Sequence, residues 1–178
     1  WKVAFHSQRL GDPLPDSRHI LMYADCDKYF EAVNFISKNR NRNFTLVTHN
    51  GDKTVERVAI PNNLKSWHTI NLHFEHPRVF PLPIGLENIH WHPNKRSIME
   101  EGQIFDSRII KPFVQFNPAT SPMDRLPILP LIAKKTIDAD VYPCINGVNF
   151  ELYIHNLRRY AFCLCPKGNG IDTHRLWE

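Results

Sequence analysis

The densest concentration of chemistry lies in Cys165-Pro166-Lys167-Gly168-Asn169-Gly170-Ile171-Asp172-Thr173-His174-Arg175-Leu176-Trp177-Glu178. An apolar run over residues 160–165 reads as a strand, the two glycines as a loop, and the residues from Asp172 onward as the opening of a helix. In open parallel sheets, ligands bind just past the carboxyl ends of strands. Glycines let the backbone approach a ligand closely, and free N–H groups at the start of a helix attract phosphate oxygens. Lys167 and Arg175 add charge-assisted hydrogen-bond donors suited to a diphosphate. Glu178, one turn further on, would accept from ribose hydroxyls. The spacing is neither a Walker A loop nor a full Gly-x-Gly-x-x-Gly fingerprint. The same residues also read as a plain strand-to-helix turn, with Asp172 or Thr173 as N-cap and Arg175 paired at the surface.

Other clusters are weaker. His90-Trp91-His92 puts two imidazoles on one face of an extended segment, with His73 and His76 nearby, but no carboxylate or cysteine completes a zinc set. No metal is expected. Cys163 and Cys165 are one residue apart on one face of the last strand, a spacing that matches no zinc pattern and reads as a pair of buried thiols. With four cysteines in a chain of this size, a reducing compartment, the cytoplasm, is the expectation; a fragment of a larger protein would leave a lumenal or viral enzyme open. Trp67, Trp91 and Trp177 suit either sugar stacking or core filling.

The elements that must position these groups alternate along the chain. Strands are expected at the start, over residues 2–5 and 19–23. A helix over 27–38 carries Phe30, Val33 and Ile36 inward, with Asp25 or Asp27 as N-cap. Residues 44–48 form a buried strand that feeds the turn His49-Asn50-Gly51-Asp52. A second helix is read over 64–72, then an irregular edge strand over 79–84 because of Pro81 and Pro83. Residues 88–102 read as a linker. A strand over 113–116 follows, then a short helix over 126–135 broken by Pro127 and Pro130, and a strand at Val141-Tyr142. The helix over 150–159 is expected to turn Leu152, Ile154 and Leu157 inward. This alternation predicts an α/β protein with largely parallel sheets, in two Rossmann-like halves: residues 1–100, and residues 101–178 with the second half incomplete at its C-terminus.

Composition narrows the field without deciding it. A formal charge of +4 suits phosphate-bearing small molecules, and the densest basic stretch, Lys38-Asn39-Arg40-Asn41-Arg42, lacks the aromatic interleaving of a nucleic-acid surface. Nucleic-acid binding is therefore not expected. No run of about 18 apolar residues is present, so no membrane span is expected.

The C-terminal segment also resembles the nucleotide-sugar-binding motif of exostosin-like and related GT-B glycosyltransferases. There, a strand ending in Pro-x-Gly leads through an Asp-Thr-His-Arg-like stretch to a glutamate. Leu46-Val47-Thr48-His49-Asn50-Gly51-Asp52 resembles that family's first-lobe strand and loop. Leu64-Lys65-Ser66-Trp67 and Pro81-Leu82-Pro83-Ile84-Gly85-Leu86-Glu87-Asn88 resemble its helix and following strand end. Asn117-Pro118-Ala119-Thr120 with Arg125 resembles the loop that opens its second lobe. The likeness covers the chain from about Phe44 to Glu178 and departs from the family where a small-residue turn and a further strand should follow the glutamate.

The resemblance implies a GT-B-like enzyme moving a sugar from a nucleoside-diphosphate donor to a glycan hydroxyl, inverting and without a metal. The implied donor site comprises Lys167, Gly168, Asn169, Gly170, Asp172, Thr173, Arg175 and Glu178, with Arg125 as a diphosphate clamp. An inverting reaction needs a general base from the first lobe, for which Asp52 and His49 are the candidates, with Glu87 behind them. Each also has an ordinary reading, as turn residue, packed imidazole and surface carboxylate. The alternative is a non-catalytic carbohydrate- or nucleotide-binding α/β domain.

Overall fold

The computed structural model describes residues 4–6, 11, 13–86, 97–98, 100, 107–144 and 149–178. The chain forms two compact units, one of Trp1–Ile84 with Asn169–Asp172, the other of Gly85–Gly168 with Thr173–Glu178. The protein is mixed α/β with parallel sheets, compatible with Rossmann-like folding.

The first unit is built on a five-stranded sheet, β1 (Ala4–His6), β2 (His19–Asp25), β3 (Asn43–His49), β4 (Leu64–Thr69) and β5 (Val79–Pro81), in sequential order. All four neighbouring pairs are parallel. β2 alternates along its length, with Ile20, Met22 and Ala24 buried. Between β2 and β3 the chain passes through a 3-10 turn, Cys26–Lys28, and helix α1, Tyr29–Lys38. The helix buries Tyr29, Ala32, Val33 and Ile36, an i, i+3, i+4, i+7 stripe. Phe30 falls outside that stripe and is 63% exposed, against the inward placement expected from spacing alone. Neither Asp25 nor Asp27 caps the helix through its side chain. The Asp27 carboxylate instead accepts the Lys53 backbone N–H at 2.9 Å.

The helix expected over 64–72 is instead strand β4. Leu64, Trp67 and Ile70 recur every third residue, which mimics a helical face. The register against β3 shifts between Phe44 and Thr45, so that β4 carries one extra residue opposite that step. Such a bulge resets the alternation of side chains and lets Leu64 and Trp67, three apart, both reach zero exposure. Trp67 is the largest fully buried side chain. Its ring stacks on Tyr29 at 5.7 Å, and its Nε1–H donates to Thr48 Oγ1 at 2.9 Å. Thr48 donates in turn to Thr69, and Thr69 to the Ile70 carbonyl, so both of these buried hydroxyls are satisfied.

The second unit holds β6 (Ile109–Val114), β7 (Asp140–Val141) and β8 (Tyr160–Cys163), parallel and in the order β7-β6-β8. Pro112 sits in the central strand, which is tolerated because the register shifts between Ile109 and Pro112. Helices α2 (Pro122–Arg125), α3 (Ile128–Ala133) and α4 (Phe150–Arg158) belong to the same unit. Pro127 is the N-cap of α3 and Pro130 lies in its first turn, positions where a missing N–H costs nothing, so neither proline breaks it. The core is an aromatic nest in which Phe113 lies 5.0 Å from Tyr142, 6.1 Å from Tyr153 and 5.5 Å from Tyr160. α4 is capped by Asn149, whose side chain accepts from the Glu151 N–H at 2.9 Å. It turns Tyr153 and Ile154 inward, whereas Leu152, expected inside, is 54% exposed.

The helix expected from Asp172 onward is only a single 3-10 turn, His174–Leu176. The Asp172 carboxylate is committed elsewhere, accepting the Ile84 N–H at 2.8 Å, and so caps no helix. Among the described residues, no helix is long and apolar enough to cross a membrane. The linker expected over 88–102 lies almost entirely outside the described residues.

Cys26 has no exposed surface, and burial pushes its thiol up to about 11. A raised acid in the native state means that the unfolded chain releases its proton first as pH rises. Stability should therefore fall between pH 9 and 11, and the fall should flatten in Cys26→Ala. Urea midpoints across that range check this; equal slopes in the two proteins would refute it.

Candidate functional site

In the second unit the chain leaves central β6 for β7 on one side, then returns past β6 to β8 on the other. The direction of crossover reverses between β6 and β8, which makes the loops beyond their carboxyl ends a topological switch point, where open parallel sheets bind ligands. The strands described in the first unit follow one another sequentially and show no such reversal.

Arg125, at the end of α2, ties these two loops together. It is 6% exposed. Nε donates to the Lys167 carbonyl at 2.8 Å and Nη2 to the Pro166 carbonyl at 3.3 Å, both in the loop after β8. Nη1 donates to the Asn117 carbonyl at 2.7 Å and to Thr120 Oγ1, both in the loop after β6. Four of the five guanidinium N–H groups are thus committed to the protein, and one on Nη2 remains. Burial, and after it the neighbouring Arg175 charge, lower the Arg125 pKa. The guanidinium also lies 5.4 Å from the Phe116 ring. A Cβ at Gly168 would stand 2.9 Å from Nη2, so only glycine lets the loop pass this pinned side chain. Lys167 is exposed and 3.8 Å from Asp124, a weak pairing in solvent.

Arg175 follows Thr173 in the 3-10 turn. Its guanidinium lies 5.6 Å from the Tyr153 ring, and its buried Nε has no hydrogen-bond partner among the described residues. Its charge reaches Cys163 and Cys165. The Cys163 thiol donates to the Leu164 carbonyl and the Cys165 thiol to the Cys163 carbonyl, both at 3.8 Å; the interaction between the two side chains raises the Cys163 pKa and lowers that of Cys165. Burial first, then the Glu178 charge, raise the Tyr153 phenol. Gln115, just past β6 and 6% exposed, donates to the Pro143 carbonyl at 2.9 Å, while its Oε1 has no partner among the described residues. Buried polar atoms left without partners are few in native proteins and commonly mark a water or ligand position. Neither Gln115 nor Tyr153 carries a motif, and sequence reasoning had no signal for them.

Asn169, Gly170 and Asp172 belong to the first unit, at the carboxyl ends of β3 and β4. Asn169 Nδ2 donates to Asp52 Oδ2 at 3.2 Å, which joins a donor-site candidate to a base candidate. Asn71, 4% exposed and in the left-handed region at φ 52°, is the organiser that the sequence did not reveal. Its Nδ2 donates to the Gly51 carbonyl and its Oδ1 accepts the Asp172 N–H, both at 3.2 Å. Gly170 presses against it: a Cβ there would lie 2.7 Å from Asn71 Oδ1. Gly51 is equally confined, with Asp27 Oδ1 2.6 Å from where a Cβ would sit. His49 ends β3 and its Nδ1 lies 3.2 Å from Asn50 Oδ1. Glu87, His90, Trp91 and His92 lie outside the described residues. Trp67 is core, whereas Trp177 is 44% exposed. Among the described residues, no group of three histidine, cysteine or acidic side chains is placed to hold a metal ion.

No protein-family model matches this sequence, and no curated protein matches it significantly.

Two measurements check this geometry. Arg125→Lys keeps the charge but loses the planar fork, and should lower unfolding free energy by about 2–4 kcal/mol, given the usual worth of charged hydrogen bonds. An unchanged urea midpoint would contradict the clamp. Gly170→Ala should cost about 1–3 kcal/mol through overpacking. In an Asn71→Gly background, which suits the positive φ and removes the obstructing amide, that cost should shrink by at least about 0.5 kcal/mol. Strictly additive costs would show that the two residues do not meet.

Proposed function

We propose that this protein is a glycosyltransferase of GT-B-like, two-lobed architecture. It moves a sugar from a nucleoside diphosphate to a glycan hydroxyl, with inversion and without a metal. The observation that carries the reading is the buried Arg175 Nε without a hydrogen-bond partner among the described residues, beside Arg125 and the β8 loop. That is a position which a diphosphate oxygen would satisfy with a charge-assisted bond. The likeness of Pro166-Lys167-Gly168-Asn169-Gly170 and its continuation to a nucleotide-sugar motif points the same way.

In this reading, Arg175 and Lys167 bind the diphosphate, and Gly168 lets the backbone come close. Arg125 holds the loop and offers its one remaining N–H. Thr173 and Glu178 serve the ribose. Asp52 is the first choice of base: Asn169 occupies Oδ2 and leaves Oδ1 for an acceptor hydroxyl. The acceptor oxygen loses its proton to the base as it attacks the anomeric carbon. The bond from that carbon to the diphosphate breaks, and the leaving charge falls to the cationic groups. His49 and Glu87 are the remaining base candidates.

A thermal-shift panel of nucleoside diphosphates and nucleotide-sugars tests the reading, since a ligand bound only by the native state raises Tm by mass action. One nucleotide-sugar should shift wild type by several degrees at saturation, with the shift lost in Arg175→Ala. Asp52→Asn should keep the shift while sugar transfer falls at least about 100-fold. Binding without any turnover in wild type would make the protein a non-catalytic binding domain. The absence of any shift across the panel would sink both readings.

A further inference from the structure

A groove of about 570 Å³ lies between α1 and residues 58–63 in the first unit. It is lined on one side by Phe30, Asn34 and Arg40 of that helix and its end, and on the other by Val58, Ile60 and Asn62. The second wall is rigid although it has no regular structure. Arg78 donates to the carbonyls of Ile60, Pro61 and Leu64. Buried Asn63 donates to the carbonyls of Ile36, Asn39 and Arg42, at 2.8, 3.1 and 3.1 Å, and so fastens this segment to the end of the helix. The groove is therefore preformed, which lowers the ordering cost of binding.

Its lining chooses among ligands. Arg40 is the single charged side chain among the described lining residues, already donating weakly to the Ser37 carbonyl, so a strongly anionic ligand would find little to hold it. No carboxylate, cysteine or histidine is among those lining residues, which leaves nothing for a metal ion. The side-chain amides of Asn34 and Asn62 make no hydrogen bond within the described residues, and each can both donate and accept. Phe30 presents an aromatic ring 63% exposed. A flat apolar surface flanked by groups that donate and accept matches a pyranose, whose C–H face is apolar and whose hydroxyl rim needs both partners. The volume lies in the range of small-molecule sites. We infer that this groove binds a short, uncharged saccharide of two or three rings. The inference stands on the groove alone and does not depend on the nucleotide-sugar reading.

The test is a titration of the whole 178-residue chain with cellotriose, maltotriose and chitotriose, followed by two-dimensional amide NMR. At least one sugar should shift amides of α1 and residues 58–63 with millimolar or tighter affinity. Phe30→Ala should weaken it at least about tenfold, and Asn34→Ala about three- to tenfold. Both side chains lie outside the buried stripe of α1, so these variants keep the fold, and unchanged spectra elsewhere verify that. Arg175→Ala should leave the saccharide affinity unaltered, which separates this site from the diphosphate site. No response to any of the three sugars, a response that Phe30→Ala leaves intact, or a response to the apolar dye ANS alone would overturn the inference. The last outcome would make the groove an apolar docking face.

Discussion

Taking a guanidinium out of water is costly, and a protein tolerates it only where the N–H groups find oxygen partners. Arg125 meets that condition with backbone carbonyls rather than a carboxylate, so its positive charge stays largely uncompensated beside the switch point of the β7-β6-β8 sheet. Much of the second unit's candidate site follows from this. The loop after β8 has the path it has because Pro166 and Lys167 turn their carbonyls to this side chain. Position 168 favours glycine because a Cβ there would stand only 2.9 Å from Nη2. The nearness of Arg175 adds a second cation whose Nε has no partner among the described residues. An anionic ligand would relieve both conditions, which is the physical content of the diphosphate reading.

The first unit solves a related problem without charge. Loops beyond the carboxyl ends of β3 and β4 carry backbone groups that no strand can pair, and Asn71 serves two backbone groups at once through one amide. Its positive φ brings the amide close to both Gly51 and Asp172. Gly51 and Gly170 are the points where other backbone must pass, against Asp27 and Asn71 respectively. Asp52 reaches its partner Asn169 only because this arrangement holds the segment in place.

How far these features can be read from the residues depends on whether the signal is local. The strands at 19–23 and 44–48, the helix near 27–38 and the strand at 160–163 are legible because alternation or a 3.6-residue stripe identifies them within a few positions. Spacing misleads at β4, where a bulge imposed by pairing with β3 allows residues three apart to share burial. It misleads again at Phe30, because a recurrence of three does not say which side of a helix meets the sheet, and at Leu152 for the same reason. The helix expected after Asp172 fails because a capping carboxylate is taken by the distant Ile84 amide.

The candidate site divides in the same way. Lys167, Gly168 and Arg175 stand close together along the chain in a strand-to-loop context, so their grouping is legible from the residues alone. Asn71, Gln115 and Tyr153 are not, since an isolated amide or phenol has no spacing to betray it. An α/β protein with a cationic, glycine-bearing loop after strand β8 is legible in the residues, because strand periodicity and turn chemistry act over a few positions. That Arg125 faces carbonyls, that Gly170 abuts Asn71 and that Phe30 stands beside a groove emerges only in the folded chain. Those outcomes depend on contacts between residues far apart along the chain, which strand order and register create.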